Sequence, residues 1–517
     1  MSFISLTFLI FLAVTVLLYF VVPSARRWLV LLAASLVFYG WGGLPQVVFV
    51  LVTSLVVWSA ALRMDAIYET ASRSEDAREA AKAAKKKARR VLTAACAVLI
   101  AALVYTKAGA AILGALLKVV RGEPVTVKIL VPMGISYYTF AVVGYLADVY
   151  WKKDKAEKNW AKLLLYMIFF PQIVQGPIPR HKKLAPQLTE GHPFSWERLC
   201  FGLQRALWGY FKKMVIADRF AVIVNEVIGG YQTYEGVLFI IALASSAVQL
   251  YCDFSGCMDI ALGVSEILGI TLDENFRRPF FSRSAAEFWR RWHITLGTWF
   301  KDYVYMPLAV SPRLMKLGRS AGKVFGKRFA KGLMTAIPLL VVWLLTGLWH
   351  GTGPDYVVWG LYWGVLIMIS TIWAPEIKKL DDLLHIDTES VWWHRFQMFR
   401  TFCIFCFGRL LTITPDLKAS RVILKKIFTQ HNVWALTNGT LYTLGLDRPN
   451  VWVALFSLGL LWYISIREEA GSDIRREIAD CPLPVRWFLY YALFFAVIIF
   501  GMYGSGLSGS GFVYAAY

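Results

Sequence analysis

The sequence predicts an all-α, polytopic membrane protein with roughly ten to twelve transmembrane or embedded helices. Of its 517 residues, 57% are hydrophobic and only 17% are charged, whereas soluble proteins carry nearer a quarter charged residues. The apolar residues occur in long runs, and residues 3–22 contain no charge at all, which is enough to cross a ~30 Å hydrocarbon core. Lysines and arginines cluster in short loops between these runs, as they do in the cytoplasmic loops of membrane proteins.

Five apolar runs predict the N-terminal spans. Residues 63–90 separate the third run from the fourth and hold nine Lys/Arg against five acids, and their Ala, Glu and Lys content predicts a cytoplasmic helix. With that segment inside, the N-terminus lies outside and the lysines that follow the fifth run lie inside. The runs cover about 3–22, 28–43, 44–62, 91–106 and 129–148.

The stretch from Phe170 to Pro179 contains three prolines in an apolar region. Internal prolines remove helix hydrogen bonds, so this stretch cannot be one continuous span. A broken helix that lines a cavity and a plain surface loop both remain open. Further spans are predicted near residues 201–224, 236–252, 333–349, 355–373, 399–413, 451–466 and 487–504.

The chain is expected to form one integral membrane domain over residues 1–517. Within it, residues 1–150 hold the N-terminal spans, 151–375 a motif-rich core and 376–517 the C-terminal spans. Residues 374–398 and 414–450 are polar enough to be extramembrane, and the Gly/Ser-rich tail at 504–511 is flexible by composition. The net charge of +21 favours anionic lipid over nucleic acid, because the basic residues lie between apolar runs.

His350 ends a strongly apolar run and is followed by Gly351 and Gly353. Ionisable residues at membrane depth are costly to bury, so they are functional candidates by default. These glycines and Gly347 would let a substrate or another backbone approach closely. The alternative is a structural histidine whose imidazole is bonded to a carbonyl.

His293 lies in residues 287–303, a segment whose pattern predicts one amphipathic helix. Its aromatic and leucine side chains recur at helical spacing in a single apolar stripe that includes His293. A basic, aromatic helix of this kind usually lies at the cytoplasmic interface. We therefore expect His293 to face the protein, and an interfacial helix with a satisfied histidine is the alternative.

Asp253 and Asp259 follow the apolar run at 236–252. Buried acids need partners, so they are expected to orient a histidine or to pair with nearby arginines, and pairing is favoured. Further along, residues 313–331 hold seven Lys/Arg and predict a long cytoplasmic hairpin loop. The run 332–349 would then rise about 27 Å at 1.5 Å per residue, which places His350 and His293 at different depths.

Other kinds of site find no support in the sequence. It contains no H-E-x-x-H, no G-x-x-x-x-G-K-[ST], no G-x-S-x-G and no dinucleotide fingerprint. Cys403 and Cys406 have C-x-x-C spacing but lie in an apolar run without a second pair, which predicts packing cysteines. No metal site is predicted.

Six motifs occur in order along the chain. They are Gln175-Gly-Pro-Ile178, Tyr251-Cys-Asp-Phe-Ser-Gly256 with Asp259, Asn275-Phe-Arg-Arg-Pro-Phe280, Phe288-Trp-Arg-Arg-Trp-His-Ile-Thr-Leu296, Trp299-Phe-Lys-Asp-Tyr303 and Gly347-Leu-Trp-His-Gly351. Together they resemble the membrane-bound O-acyltransferase (MBOAT) family, in particular its bacterial alginate O-acetylase, peptidoglycan O-acetylase and D-alanyl-teichoate transferase branch. The resemblance covers most of the chain and is weakest towards the C-terminal end.

This resemblance implies a helical fold around a central tunnel and an acyl donor that arrives from the cytoplasm. It also implies that His350 is the catalytic histidine and His293 the second active-site histidine. No bound cofactor is expected, and the donor is acetyl-CoA or an acyl-carrier thioester.

A mechanism fits these residues. Neutral His350, near its unperturbed pKa of ~6.5, would remove a proton from an acceptor hydroxyl, and the alkoxide would attack the thioester. His293 or the backbone N–H groups near Gly351 and Gly353 would stabilise the oxyanion. The arginines would hold donor phosphates or, alternatively, lipid headgroups. Candidate donor- and substrate-binding residues are Arg277, Arg278, Arg283, Arg290, Arg291, Lys301, Asp253, Asn275 and Trp349.

The predicted function is therefore O-acylation, most simply acetylation, of a cell-surface or extracellular polysaccharide by a multi-pass protein of the bacterial plasma membrane. D-alanyl transfer from a carrier protein to teichoic acid is one alternative. A transporter or flippase is another, and it would show two halves of similar hydropathy. Expected partners are membrane lipid, acyl-CoA or an acyl carrier protein, and an extracytoplasmic SGNH-type transferase or a small membrane partner.

Overall fold

The computed structural model describes residues 1–74, 76–121, 127 and 129–503. Within these ranges the chain is built from helices, and extended pairing is limited to one isolated antiparallel bridge between Phe276 and Trp292. The all-α prediction is confirmed. The predicted flexible tail at 504–511 lies outside the described residues.

The chain forms two compact units. The first comprises Met1–Ala206 and Met258–Asp273, and the second comprises Leu207–Cys257 and the described residues from Glu274 onward. Helices α9 and α11 contribute residues to both units.

The first unit begins with eight helices among its described residues. They are α1 (Leu6–Val21), α2 (Arg27–Gly40), α3 (Leu44–Ser72), α4 (Ala77–Arg121), α5 (Ile135–Tyr150), α6 (Trp160–Ile168), α7 (Phe170–Ile173) and α8 (His181–Glu190).

The remaining α-helices belong wholly or partly to the second unit. They are α9 (Trp196–Tyr210), α10 (Asp218–Gly229), α11 (Gly236–Ile267), α12 (Ala285–Arg291), α13 (Ile294–Phe300), α14 (Met306–Ala309), α15 (Pro312–His350), α16 (Pro354–Ile372), α17 (Ala374–Leu383), α18 (Val391–Ile413), α19 (Leu417–Thr429), α20 (Arg448–Glu469), α21 (Ile474–Asp480) and α22 (Leu483–Phe500). Two π-helical segments, Phe211–Ala217 and Lys301–Tyr305, join α9 to α10 and α13 to α14.

Eight helices of the described chain are long and apolar enough to cross a membrane. α1 is also apolar, but it has only 16 residues. These helices confirm a polytopic membrane protein, whereas the total of ten to twelve, which includes embedded helices, stays a prediction. The eight candidate spans are α3, α4, α11, α15, α16, α18, α20 and α22.

The basic segment at 63–90 is largely helical, as predicted, and it is shared between two helices, while its cytoplasmic side stays a prediction. α3 continues through it to Ser72, and α4 starts at Ala77. Its alanines, lysines and glutamates are good helix formers, so both apolar helices extend into the polar segment.

The prediction of a basic hairpin loop at 313–331 is wrong. α15 begins at Pro312, where the Ser311 hydroxyl accepts the N–H of Leu314 at 3.3 Å, and it breaks at Gly326, whose φ of +86° is not helical. Gly318 packs so closely on Met334 that a Cβ would lie 2.4 Å from the sulfur. The segment is therefore a helical hairpin, because small residues let its two halves pack together.

The proline-rich stretch is a broken helix in the interior of the first unit. α6 ends at Ile168, and the short α7 follows from Phe170 to Ile173. Every residue of α7 is buried, and so is Gln175. The surface-loop alternative is therefore wrong.

Candidate active site

The segment predicted as one amphipathic helix at 287–303 is broken at His293. α12 ends at Arg291, and His293 has φ +46° and ψ +52°, in the left-handed region, before α13 begins. Backbone bonds to a neighbouring segment explain the break: Ile294 donates to the Asn275 carbonyl at 3.0 Å, and Arg277 donates to the Arg291 carbonyl at 2.9 Å. The apolar spacing persists, but this pairing interrupts the helix.

His293 is buried, with only 3% of its surface exposed. Its Nδ1 lies 3.3 Å from Oδ1 of Asn275. The Phe254 ring meets the imidazole edge-on at 4.9 Å between centroids, and the Trp349 ring lies at 6.0 Å. The expectation that His293 faces the protein is confirmed, and a position of this segment at the membrane interface stays a prediction.

Asn275 links His293 to Thr295 through hydrogen bonds. Its Oδ1 accepts hydrogen bonds from the backbone N–H of Thr295 at 3.0 Å and from the Thr295 hydroxyl at 2.9 Å. His293 lies outside the eight candidate spans, and burial lowers the pKa of its imidazole to about 3. The ring is therefore neutral at physiological pH.

His350 is the last residue of α15 and is half-buried. Its ring lies 4.7 Å from that of Trp349 and meets Trp359 edge-on at 5.1 Å. Since Trp349 also packs on His293, both histidines belong to one cluster. His293 therefore packs near the end of α15, beside the neighbour of His350, and a difference in depth between the two histidines stays a prediction.

Close helix packing places His350 in this cluster. A Cβ on Gly347 would lie 2.4 Å from the Tyr356 carbonyl oxygen, and one on Gly360 would lie 2.5 Å from the carbonyl oxygen of Trp343. Of the two alternatives for Gly347, approach by another backbone is therefore the one observed. α15 and α16 form a tight hairpin with His350 at its turn.

An aromatic cluster packs α12 against this hairpin. The Trp289 ring lies 4.8 Å from Trp343, 5.1 Å from Trp363 and 5.8 Å from Trp359. Aromatic rings bury large areas with defined edge-to-face geometry. The cluster therefore gives α12, and His293 two residues beyond it, a fixed position relative to His350.

Asp253 lies within α11, because this helix continues past the predicted end at 252 to Ile267. Its carboxylate, 2% exposed, accepts from Nζ of Lys213 at 2.6 Å, and Lys213 also pairs with Asp218 at 2.9 Å. Lys212 donates to the Ser255 hydroxyl at 2.8 Å. Asp253 is therefore paired, as favoured, and its partner at 2.6 Å is a lysine.

Asp259 pairs with Arg205 at 3.1 Å within the first unit, which confirms the predicted pairing with an arginine. The pairing of Asp253 with Lys213 was not predicted from the sequence. The signal was present, because Lys212 and Lys213 interrupt the apolar run at 201–224, and charges in such runs mark functional or tightly paired positions.

The arginines and the lysine predicted to bind the donor fall into two groups. Arg278 and Arg291 already form ion pairs with Glu469 at 2.6 and 2.8 Å. The others are exposed: Arg277, Arg283, Arg290 and Lys301. Phosphate binding by either group stays a prediction, as does the donor-binding role of Asn275, whose side chain contacts His293.

A further buried histidine, His181, lies in the first unit. Its Nδ1 is 2.8 Å from Oδ2 of Asp154, and the rings of Tyr145 and Tyr166 lie at 4.4 and 5.0 Å. Burial raises the pKa of the Asp154 carboxyl, but the hydrogen bond and charge of His181 outweigh burial and hold that pKa below its usual value. Nothing in the sequence signals this pair, since the two residues are far apart along the chain.

Among the described residues, no group of three or more His, Cys, Asp or Glu side chains lies close enough to hold a metal ion. The candidate site therefore consists of two histidines, an asparagine, a threonine and aromatic rings.

Comparison with known proteins places the chain among acyltransferases. It is 34% identical over 357 residues to a probable alginate O-acetylase AlgI of Azotobacter vinelandii, a match that covers 68% of this chain and 65% of that protein. It is 30% identical over 283 residues to a peptidoglycan O-acetyltransferase of Helicobacter pylori, covering 49% and 50%. A teichoic acid D-alanyltransferase of Bacillus subtilis is 28% identical over 293 residues, covering 53% and 67%.

The matches span only part of these relatives. In three alginate O-acetylases, this chain covers between 44% and 65% of the relative's length. A protein-family model matches residues 152–410, a region that contains both His293 and His350 and all six motifs. The chain belongs to the MBOAT, membrane-bound O-acyltransferase, family.

Proposed function

We propose that the protein is an O-acyltransferase that moves an acyl group, most simply acetyl, from a thioester donor to a hydroxyl of a cell-envelope polysaccharide. One observation carries this proposal: His293 and His350, which come from separate motifs, both pack near the indole ring of Trp349, at 6.0 and 4.7 Å between ring centroids. Family membership and the activities for which the relatives are named support the acyltransferase class.

In the proposed reaction, His350 is the general base. It takes the proton of the acceptor hydroxyl as the oxygen attacks the thioester carbonyl and a tetrahedral oxyanion forms. The carbon–sulfur bond then breaks, and the thiolate leaves with the proton that His350 had taken. Histidine suits both steps, because its unperturbed pKa of ~6.5 lets it accept and return a proton near neutral pH.

We propose that the thioester arrives from the cytoplasm and that the product is formed for use outside the cell. The basic segments at 63–90 and 313–331 support a cytoplasmic face that attracts anionic donors. The candidates for donor phosphates are the exposed Arg277, Arg283, Arg290 and Lys301, together with Arg278 and Arg291. An extracytoplasmic SGNH-type transferase, a small membrane protein or an acyl carrier protein would be a partner in this scheme, in the bacterial plasma membrane.

Acetyl transfer is preferred to D-alanyl transfer because the alginate and peptidoglycan relatives are more similar than the D-alanyltransferase. The two are separated by supplying acetyl-CoA or a D-alanyl carrier thioester to the same preparation. Release of free thiol from acetyl-CoA that depends on a polysaccharide acceptor supports acetylation. Release only from the D-alanyl thioester contradicts it.

The catalytic assignment is tested with His350→Ala in purified, reconstituted protein. Loss of a general base lowers the rate by roughly 10²- to 10⁴-fold, so thiol release should fall by that factor while thermal unfolding stays close to wild type. His431→Ala is the matched control. His431 is exposed, so this variant should release thiol at the wild-type rate. Wild-type turnover by folded His350→Ala would refute the role of His350.

A further inference from the structure

The chemistry open to His293 depends on which ring nitrogen carries its proton, and the surroundings of Asn275 decide this. The backbone N–H of Thr295 points at one terminal atom of the Asn275 amide at 3.0 Å. A backbone N–H can only donate, so that terminal atom is the amide oxygen and not the NH₂ group. The orientation of the Asn275 side chain is thereby fixed.

The same oxygen lies 3.3 Å from Nδ1 of His293. An amide oxygen can only accept a hydrogen bond, so the hydrogen between the two atoms belongs to Nδ1. A neutral imidazole carries one N–H. In neutral His293, Nε2 therefore bears the lone pair and has no hydrogen to donate.

We propose that Asn275 is a positioning residue that holds His293 in the tautomer protonated at Nδ1, so that Nε2 accepts a hydrogen bond from a hydroxyl of the acyl acceptor. This inference rests on the proposed acyltransferase function. It revises the expectation that His293 stabilises the oxyanion, since a neutral ring in this tautomer offers no N–H at Nε2. It also gives Asn275 a role other than donor binding.

Backbone geometry supports the same assignment. The left-handed conformation of His293, φ +46°, is unfavourable for a residue with a Cβ, and such strain persists only where the surroundings enforce it, often at functional sites. Here the Asn275 carbonyl accepts the N–H of Ile294 at 3.0 Å while the Asn275 side chain accepts from the ring. One residue thus fixes both the backbone and the imidazole of His293.

The tautomer is measured directly by ¹⁵N NMR on proteoliposomes that contain ring-¹⁵N-histidine protein. Subtracting the spectrum of His293→Gln identifies the two signals of His293. We expect a protonated Nδ1 and an unprotonated Nε2. A protonated Nε2 in the wild-type protein would overturn the inference without any variant of Asn275.

Two isosteric variants then separate positioning from general packing. Asn275→Leu removes the oxygen that accepts the hydrogen bond from Nδ1 of His293. We expect the tautomer of His293 to change and kcat to fall by roughly 10²-fold, with a smaller change in KM for the thioester. Thr298→Val lies in the same helix α13 and removes an exposed hydroxyl that donates to the Ile294 carbonyl at 2.8 Å, but it leaves Asn275 and Thr295 intact, so the tautomer and kcat should stay near wild type. A folded Asn275→Leu protein that keeps the wild-type tautomer of His293 and the wild-type kcat would contradict the proposal.

The outcomes distinguish this inference from the proposed function. The NMR measurement needs no turnover, so a protein with the Nδ1–H tautomer but no acyl transfer would refute the function and leave the tautomer standing. An active enzyme with a protonated Nε2 would refute the inference and leave the function standing.

Discussion

Two buried histidines in this protein have similar aromatic surroundings but different Nδ1 partners. In the second unit, His293 faces the amide oxygen of Asn275 at 3.3 Å, and in the first unit His181 faces the carboxylate of Asp154 at 2.8 Å. A carboxylate favours a charged imidazolium and forms an ion pair with it, whereas an amide fixes a neutral ring. The comparison teaches that the partner at Nδ1 adds to the effect of burial: Asp154 can offer His181 a charge as well as a hydrogen bond, whereas Asn275 offers His293 a hydrogen bond alone.

The largest expected effect comes from exchanging each histidine for glutamine. His293→Gln should lower kcat/KM by roughly 10²- to 10⁴-fold, because glutamine cannot act as the neutral imidazole does. His181→Gln should leave kcat/KM per folded molecule close to wild type and lower the unfolding temperature instead. Both are measured by thiol release normalised to folded protein, and equal losses of activity would break the comparison.

A smaller effect is expected from Asp154→Asn, which turns the carboxylate partner into an amide like that of Asn275. Loss of a charge-assisted bond should destabilise the protein by about 1–3 kcal/mol near neutral pH, with little effect on turnover. The pKa of Asp154 is lowered on folding, so its stabilisation is complete above the unfolded pKa of ~3.9 and is lost as the pH falls through the lower folded value.

Thermal unfolding of both proteins as a function of pH checks this prediction. The wild-type protein should exceed Asp154→Asn in stability at pH 7, and the two curves should converge under strongly acidic conditions. A difference that grows as the pH falls would have the wrong sign and would exclude the ion pair.

The smallest expected effect is that of Glu469→Gln, which applies the same carboxylate-to-amide exchange to the arginines. Arg278 and Arg291 pair with Glu469 at partly exposed positions, about 30% for Glu469 itself, so the loss of stability should be no more than about 1 kcal/mol. If these arginines can hold donor phosphates, the loss of their ion pairs with Glu469 should lower KM for acetyl-CoA a few-fold. Glu477→Gln, which frees the more exposed Arg467, is the control and should leave KM unchanged.

Much of the fold and part of the candidate site followed from sequence patterns. Long uncharged runs predicted the apolar helices, since burying backbone in lipid leaves few alternatives to a helix. The isolation of His350 at the end of such a run marked it as a functional candidate, and the motif order predicted the family. The break at His293 was missed, because apolar spacing continues across it and does not record where the backbone turns. At 313–331 a hairpin was predicted, but its two helical arms were missed.

The sequence by itself determined which segments are apolar helices, which residues are candidates for chemistry and which family the chain belongs to. Only the tertiary structure decided that His293 lies beside Trp349, that Asn275 faces its Nδ1 and that Lys213 is the partner of Asp253. The physical reason is that periodicity and composition act over one helix at a time. Hydrogen-bond direction and ion pairing instead depend on atoms that come within about 3 Å of each other only after separate segments pack.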